Sequence, residues 1–202
     1  MVNAKRVVFF VDDKNFYYGA RRASYSDSDP HFYGQIKPIE LAKLICSRPS
    51  LGDTRMVHQV RIYTGRPDST KEPKTYAAHM KQCHSWTEAG AEIITRSLRY
   101  LSDWPNSRPQ QKGVDVALAV DFVALAIDGE YDVGIIASTD SDLTPALEFV
   151  KRKCSDKCLV EVTAWSSPWA KSRLSISGVN LWCHWLHKPD YDAVADLTDY
   201  NI

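Results

Sequence analysis

The sequence predicts a three-layer α/β/α domain with a mainly parallel central sheet, and three observations carry that expectation. Short apolar runs of strand length alternate along the chain with stretches of helical length. Several runs, such as RVVFFVD and DVGIIAST, are apolar almost without interruption, as in strands buried on both faces. The residues that follow some of these runs are acids, at the strand ends where open α/β sheets gather their ligands.

Residues 6–12 form the first strand. Residues 38–47, PIELAKLICS, place Ile39, Leu41, Ala42, Leu44 and Ile45 at helical spacing behind a proline suited to a first turn. Residues 57–64 read as a second strand, 74–90 as a helix closed by Gly90, and 91–98 as a third strand. Between 102 and 111 two prolines and no periodicity place a mobile loop, of the kind that often borders a site. Helix 112–127, GVDVALAVDFVALAI with the lysine before it, is apolar enough to be buried on most sides, and 132–139 is the next strand. Helix 143–153, strand 158–165, a short helix near 168–177 and a last strand around LWCHW complete the series. One domain over 1–188 is expected, followed by a loosely held acidic tail, 189–202.

The totals exclude several classes. With 44% apolar and 25% charged residues the composition is that of a globular protein. Twenty-five basic residues against 25 acidic ones leave no net charge, so any nucleic-acid surface must be local. The start, MVNAKRVVFFVDD, is too short for a signal peptide or a spanning helix, and five cysteines follow no disulfide rhythm; both features point to a cytoplasmic protein. There is no glycine-rich phosphate loop, and the first strand lacks the Asp-x-Asp of common small-molecule phosphohydrolases.

The acids carry the chemistry. Asp12 and Asp13 end the first strand with Asn15 close behind, Asp140 and Asp142 follow the strand at 132–139, and Asp115 lies in the first turn of the helix opened by Lys112 and Gly113. Carboxylates from three separate elements, if gathered, repel one another until protons or a cation neutralise them. A hard divalent cation is the natural remedy: Mg²⁺ or Mn²⁺ takes oxygen ligands, at ~2.0–2.1 Å for Mg²⁺, and binds through one or two carboxylates plus substrate phosphate. Such an ion polarises a phosphodiester and lowers the pKa of a bound water.

Phe10-Val11-Asp12-Asp13-Lys14-Asn15-Phe16 resembles the opening "hydrophobic, Asp, x, x, Asn" motif of NYN domains, a PIN-like nuclease branch that includes LabA-type bacterial proteins. Lys112-Gly113-Val114-Asp115-Val116 resembles their central "KGVD" motif, and Ser138-Thr139-Asp140-Ser141-Asp142-Leu143-Thr144-Pro145 their "S-G-D-S-D-F-x-P" motif, with Thr139 in place of the usual glycine. The three occur in the family's order, within residues 6–165. The resemblance implies a parallel sheet of about five strands between helices, and a ribonuclease hydrolysing RNA at an aspartate-lined Mg²⁺ or Mn²⁺ site. Asp12, Asp115, Asp140 and Asp142 would be its metal ligands or acidic wall. Asn15 would orient Asp12 or touch the scissile phosphate. Lys14, Lys112 and Arg99 would meet RNA. The partners expected are RNA, no membrane and, as a further option, a second copy of the chain. The rival reading is a non-catalytic RNA-binding or regulatory module that keeps the acidic pocket and recruits partners.

Plainer roles compete for several residues. An Asp after a strand often only caps a turn, although three motifs in order weigh against that for Asp140 and Asp142. Asp13 fills a variable slot of its motif and is left out. Asp121 lies among Val116 to Val123 and needs a partner; turned by about 240° from Asp115, it suits structural pairing slightly better than metal ligation. Cys154 and Cys158, with Cys183, His184 and His187, have spacing compatible with zinc, yet their apolar setting favours core thiols. Six tryptophans, four of them within 165–185, suit core packing better than base stacking.

Overall fold

The computed structural model describes residues 4–48 and 52–202; the first three residues of the N-terminal stretch lie outside it. Strands β1 (Lys5–Asp12), β2 (Arg55–Arg66), β3 (Glu92–Ser97), β4 (Val133–Ala137), β5 (Leu159–Trp165) and β6 (Trp182–Leu186) form one sheet in the order β3-β2-β1-β4-β5-β6. Every pairing is parallel. The sheet has one strand more than the family resemblance implies. Helices α1 (Asp13–Ser24), α2 (Pro38–Cys46), α3 (Pro73–Glu88), α4 (Val114–Asp128), α5 (Thr144–Lys153) and α6 (Lys188–Val194) connect or flank the strands.

Strand β1 shows why the chain makes three layers. Its side chains alternate between faces, and both sets are apolar. Val7, Phe9 and Val11 pack with Phe16 and Ala20 of α1, Leu41 and Ile45 of α2, Trp86 of α3 and Tyr191 of α6. Val8 and Phe10 pack on the other side with Leu118 and Phe122 of α4 and Leu147 and Val150 of α5. Each such side chain contributes roughly 1.5–3 kcal/mol by leaving water. Because β2 and β3 extend the sheet on one side of β1 while β4, β5 and β6 extend it on the other, the strand order reverses between β1 and β4. The crevice beyond their carboxyl ends is where a ligand finds room.

Four local expectations are corrected. No helix forms over 168–177: antiparallel bridges Ser166↔Lys171 and Ile176↔Val179 replace it, and Leu174 and Ile176 are buried two residues apart, a period of extended chain. Helix α4 is not buried on most sides, for it lies outside the sheet and buries only Val114, Ala117, Leu118, Phe122 and Ala126. Val116 and Val120 on its outer face are 59% and 58% exposed. The residues after 188 do not trail loosely, since α6 buries Tyr191 and Val194, and Ala195 bridges Ile36. The Tyr191 hydroxyl accepts the backbone N–H of Gly34 at 2.8 Å, and Lys37 N–H donates to the Val194 carbonyl. An apolar i, i+3 pair within an acidic segment docks it, together with these backbone ties and the His31–Asp199 ion pair. Finally, α1 forms where no element was expected, on a sparse buried stripe of Phe16, Ala20 and Ala23.

Segment 102–111 has no helix or strand, as expected of a loop, and its base is closed by an antiparallel bridge between Arg99 and Gln110. Among the described residues no helix is long and apolar enough to cross a membrane.

Candidate active site

Asp12 is both the last residue of β1 and the N-cap of α1, its Oδ1 accepting the Asn15 backbone N–H at 3.4 Å. Its other oxygen accepts the Ser138 hydroxyl at 3.0 Å, just past the end of the neighbouring strand β4. Ser138 Oγ in turn accepts the Asp140 N–H at 3.1 Å, and Asp140 Oδ1 accepts the Asp142 N–H at 3.1 Å, capping a single 3-10 turn (Ser141–Leu143) that leads into α5. The plain capping role is therefore real for Asp12 and Asp140, and it occupies one oxygen of each. The loop is tied back to α1 through Asn15, whose Oδ1 accepts both the backbone N–H and the hydroxyl of Thr139, at 2.9 and 3.0 Å. Glycine at 139 could make only the first of these bonds, so the departure from the family motif adds a tether. With Oδ1 engaged, the amide nitrogen of Asn15 is the group left to donate.

Asp12 is 7% exposed, and its carboxyl is pushed up to about 6, first by burial and further by the charges of Asp13 and Asp140; the bonds from Ser138 and Asn15 oppose the rise. Among the described residues, no lysine, arginine or histidine forms an ion pair with Asp12, Asp13, Asp115, Asp140 or Asp142. Other acids of the domain are treated differently. Asp132 has Arg6, Glu161 has Arg55, and Asp121 has Arg61 at 2.9 Å together with the Tyr63 hydroxyl at 2.8 Å. Asp121 is thus a structural partner of β2.

The structure brings Asp13 and Asp140 within electrostatic reach of Asp12 and sets Asp115 and Asp142 along a neighbouring groove between α4 and α5. Among the described residues, no three acid, histidine or cysteine side chains converge as a ready-made metal-ligand set. The residues still fit a hard cation, because the donors are oxygens only and the charge at Asp12 is uncompensated. Mg²⁺ in particular uses one or two carboxylates and completes its shell with water and phosphate. Cys154 and Cys158 are buried in the apolar core, and burial raises the Cys158 thiol to about 11, so they are core thiols. Of the tryptophans, Trp86 and Trp165 are core residues, whereas Trp169 and Trp182 are largely exposed.

Sequence reasoning passed over Asp13, Ser138 and Thr64. Asp13 accepts the Thr64 hydroxyl at 2.8 Å and lines a cleft beside the acids, along with Lys14. Ser138 opens the Ser-Thr-Asp-Ser-Asp motif directly after β4, and that position was the available signal. Lys112 and Arg99 are both exposed, Lys112 directly before Gly113 and Arg99 at the base of the 102–111 loop.

Gly113 is required by its backbone. It holds φ +76° at the N-cap of α4, and its carbonyl accepts the Ala117 N–H, which orients the first turn carrying Asp115. A Cβ there would meet nothing within 4 Å, so the cost of substitution is conformational alone. Gly113→Ala is expected to destabilise by about 1 kcal/mol and Gly113→Asn by less, since asparagine tolerates the left-handed region. Urea unfolding of the two variants checks the order.

An open, all-parallel six-stranded sheet covered on both faces, with acids at the point where the strand order reverses, defines the class as a three-layer α/β/α domain. The family model of the NYN domain matches residues 6–173, and the chain belongs to that family, within the PIN-like nuclease superfamily. A solved structure of a protein of unknown function from Vibrio parahaemolyticus is similar in fold, with a TM-score of 0.53 at 16% identity over 81% of this chain and 83% of that one. No curated protein matches.

Proposed function

We propose that the protein is a metal-dependent ribonuclease, an endonuclease, that hydrolyses RNA phosphodiester bonds at the pocket of Asp12 and Asp140, with Mg²⁺ or Mn²⁺ as cofactor. The observation that carries this reading is the buried carboxylate of Asp12, which has no cationic partner among the described residues and is crowded by Asp13 and Asp140 at the switch point of the sheet. Asp12 and Asp140 would hold the ion, with Asp115 and Asp142 completing the acidic wall across the mouths of α4 and α5. When bound, the ion supplies Lewis acidity and a more acidic water. Ser138 and Asn15 keep the two acid-bearing loops in register. The Asn15 amide nitrogen can donate to a phosphate oxygen where a further carboxylate would repel it. Lys14 and Lys112 supply positive charge to the backbone on either side, and Arg99 extends that path along the loop base. RNA is the expected partner and the cytoplasm the expected compartment.

The test is calorimetric titration with Mn²⁺ of the wild type and Asp140→Asn, paired with cleavage of a labelled single-stranded RNA. The wild type is expected to bind and cleave, and Asp140→Asn to bind the ion at least tenfold more weakly. Equal affinity in both proteins would remove Asp140 from the site. One observation favours the rival non-catalytic module, namely that no three ligands converge among the described residues. RNA binding that persists in chelator, without cleavage in any divalent metal, would decide for it.

A further inference from the structure

Beside the acids, a cleft of about 490 Å³ opens between α1, α3 and the loop after β3, sharing Asp13 and Lys14 with the candidate site. That volume lies within the range of small-ligand pockets. Tyr17 and Tyr18 stand on its α1 wall with ring centroids 5.1 Å apart, and the Lys14 ammonium lies 5.7 Å from the centre of the Tyr17 ring. Tyr17 is held by its hydroxyl, which donates to the His31 carbonyl at 2.7 Å. Tyr18 is 52% exposed and offers its ring to a ligand.

The inner end of the cleft is polar in an unusual way. Gln35 and Gln82 line both the cleft and a recess of about 20 Å³ behind it, which Trp86 also lines. Two buried side-chain atoms there have no hydrogen-bond partner among the described residues: the Gln35 Oε1 acceptor and the Trp86 Nε1 donor, the latter on a residue 4% exposed. Buried polar atoms are nearly always satisfied, and leaving one unpaired costs on the order of 1–3 kcal/mol. The recess is large enough for one water, which could relay from these atoms to whatever fills the cleft. Glutamines 35, 82 and 111 each present a donor and an acceptor.

An aromatic wall, an adjacent cation and paired donors and acceptors at the inner end match one chemical class, the planar heterocycle of a nucleotide. We propose that this cleft is a nucleobase subsite that takes an unpaired base of the RNA strand flanking the cleaved phosphate, with Tyr18 stacking on its face and Gln82 and Gln35 reading its edge. The polymer's identity rests on the ribonuclease reading above; the presence of a base site does not. Unstacked bases are commonly held in this way, and the choice among bases falls to the amides.

The test is titration of the wild-type protein in EDTA with AMP, GMP, CMP and UMP, and with ribose 5-phosphate as the base-free probe, followed by calorimetry and ligand-observed NMR. At least one nucleotide is expected to bind tenfold or more tightly than ribose 5-phosphate, and both Gln82→Ala and Tyr18→Ala to weaken it about tenfold while circular dichroism is unchanged. If Gln82→Ala fails to fold, the half-exposed Tyr18 variant carries the comparison. Nucleotides binding no better than ribose 5-phosphate, or with equal affinity to the folded Tyr18→Ala protein, would overturn the subsite. A Mn²⁺ cleavage assay separates the two readings: base binding without cleavage keeps the subsite and removes the nuclease, whereas cleavage without base binding removes the subsite alone.

Discussion

Asp12→Asn is expected to make the protein more stable and catalytically inert at once. The wild-type carboxyl, raised from 3.8 to about 6 by burial and by its acidic neighbours, binds its proton more tightly in the folded state than in the unfolded one. Its contribution to stability is therefore complete below about pH 4 and lost as pH rises through about 6. At pH 7.5 the folded protein carries the full cost of the ionised group, about 2–3 kcal/mol. Asparagine removes the charge and can still accept from Asn15 while donating to Ser138. The expected gain is about 2 kcal/mol, or roughly 4–8 °C in Tm for a chain of this size. The difference should vanish by pH 4, where both side chains are neutral. Cleavage in Mn²⁺ should fall on the order of 100-fold or more. Calorimetric scans of both proteins at pH 4, 6 and 7.5 read the first effect. A Tm for Asp12→Asn at or below the wild type at pH 7.5 would mean that Asp12 is a satisfied structural cap.

The opposite result is expected of Glu161, the buried acid whose charge is compensated. Arg55, with a side chain 3% exposed, forms a two-pronged pair with Glu161 at 2.7 and 3.0 Å and also bonds Asp53, while His184 Nε2 lies 2.7 Å from the same carboxylate. Burial alone would raise the Glu161 carboxyl, but the bonds from His184 and Arg55 outweigh it and hold the group below the ordinary glutamate range. A lowered folded pKa means stability present above about 4.5 and lost as pH falls through the folded value. Glu161→Ala leaves Arg55 and His184 facing a buried gap, with Asp53 the remaining partner of Arg55. A loss of about 3–5 kcal/mol is expected, read from urea midpoints. Glu161→Gln should lose less, since its amide oxygen still accepts from Arg55. A loss under 1 kcal/mol for Glu161→Ala would show that Asp53 suffices. No effect on metal affinity is expected from either variant, because this cluster joins β2, β5 and β6 away from Asp12.

The two aspartate-bearing loops were legible because they are local. A strand ending in acid, followed by the residues of a helix cap, is written in consecutive positions, and Asp12, Asn15 and Asp140 hold the places their motifs predicted. The strands were legible for the same reason, as continuous apolar runs admit few alternatives to a doubly covered sheet. Helix α1 was not, because Tyr17, Tyr18, Arg21 and Arg22 interrupt its apolar stripe and only packing under Trp165 and Tyr191 makes that stripe sufficient. The exposed face of α4 was hidden by composition, since an all-apolar helix reads the same whether or not a neighbour covers it. The C-terminal segment looked loose because its apolar anchors, Tyr191 and Val194, are few; they pack against α1 and α2, a contact that no local pattern records.

What the residues determined unaided was the layered α/β architecture and the family, because apolar periodicity and short motifs are properties of neighbouring positions in the chain. Which acids keep an uncompensated charge was decided only in three dimensions. Asp121 and Asp12 are both aspartates in apolar surroundings, yet one meets Arg61 and the other meets Asp13 and Asp140. The cost of a buried charge depends on what stands across from it in space, and the strand order β3-β2-β1-β4-β5-β6 sets that.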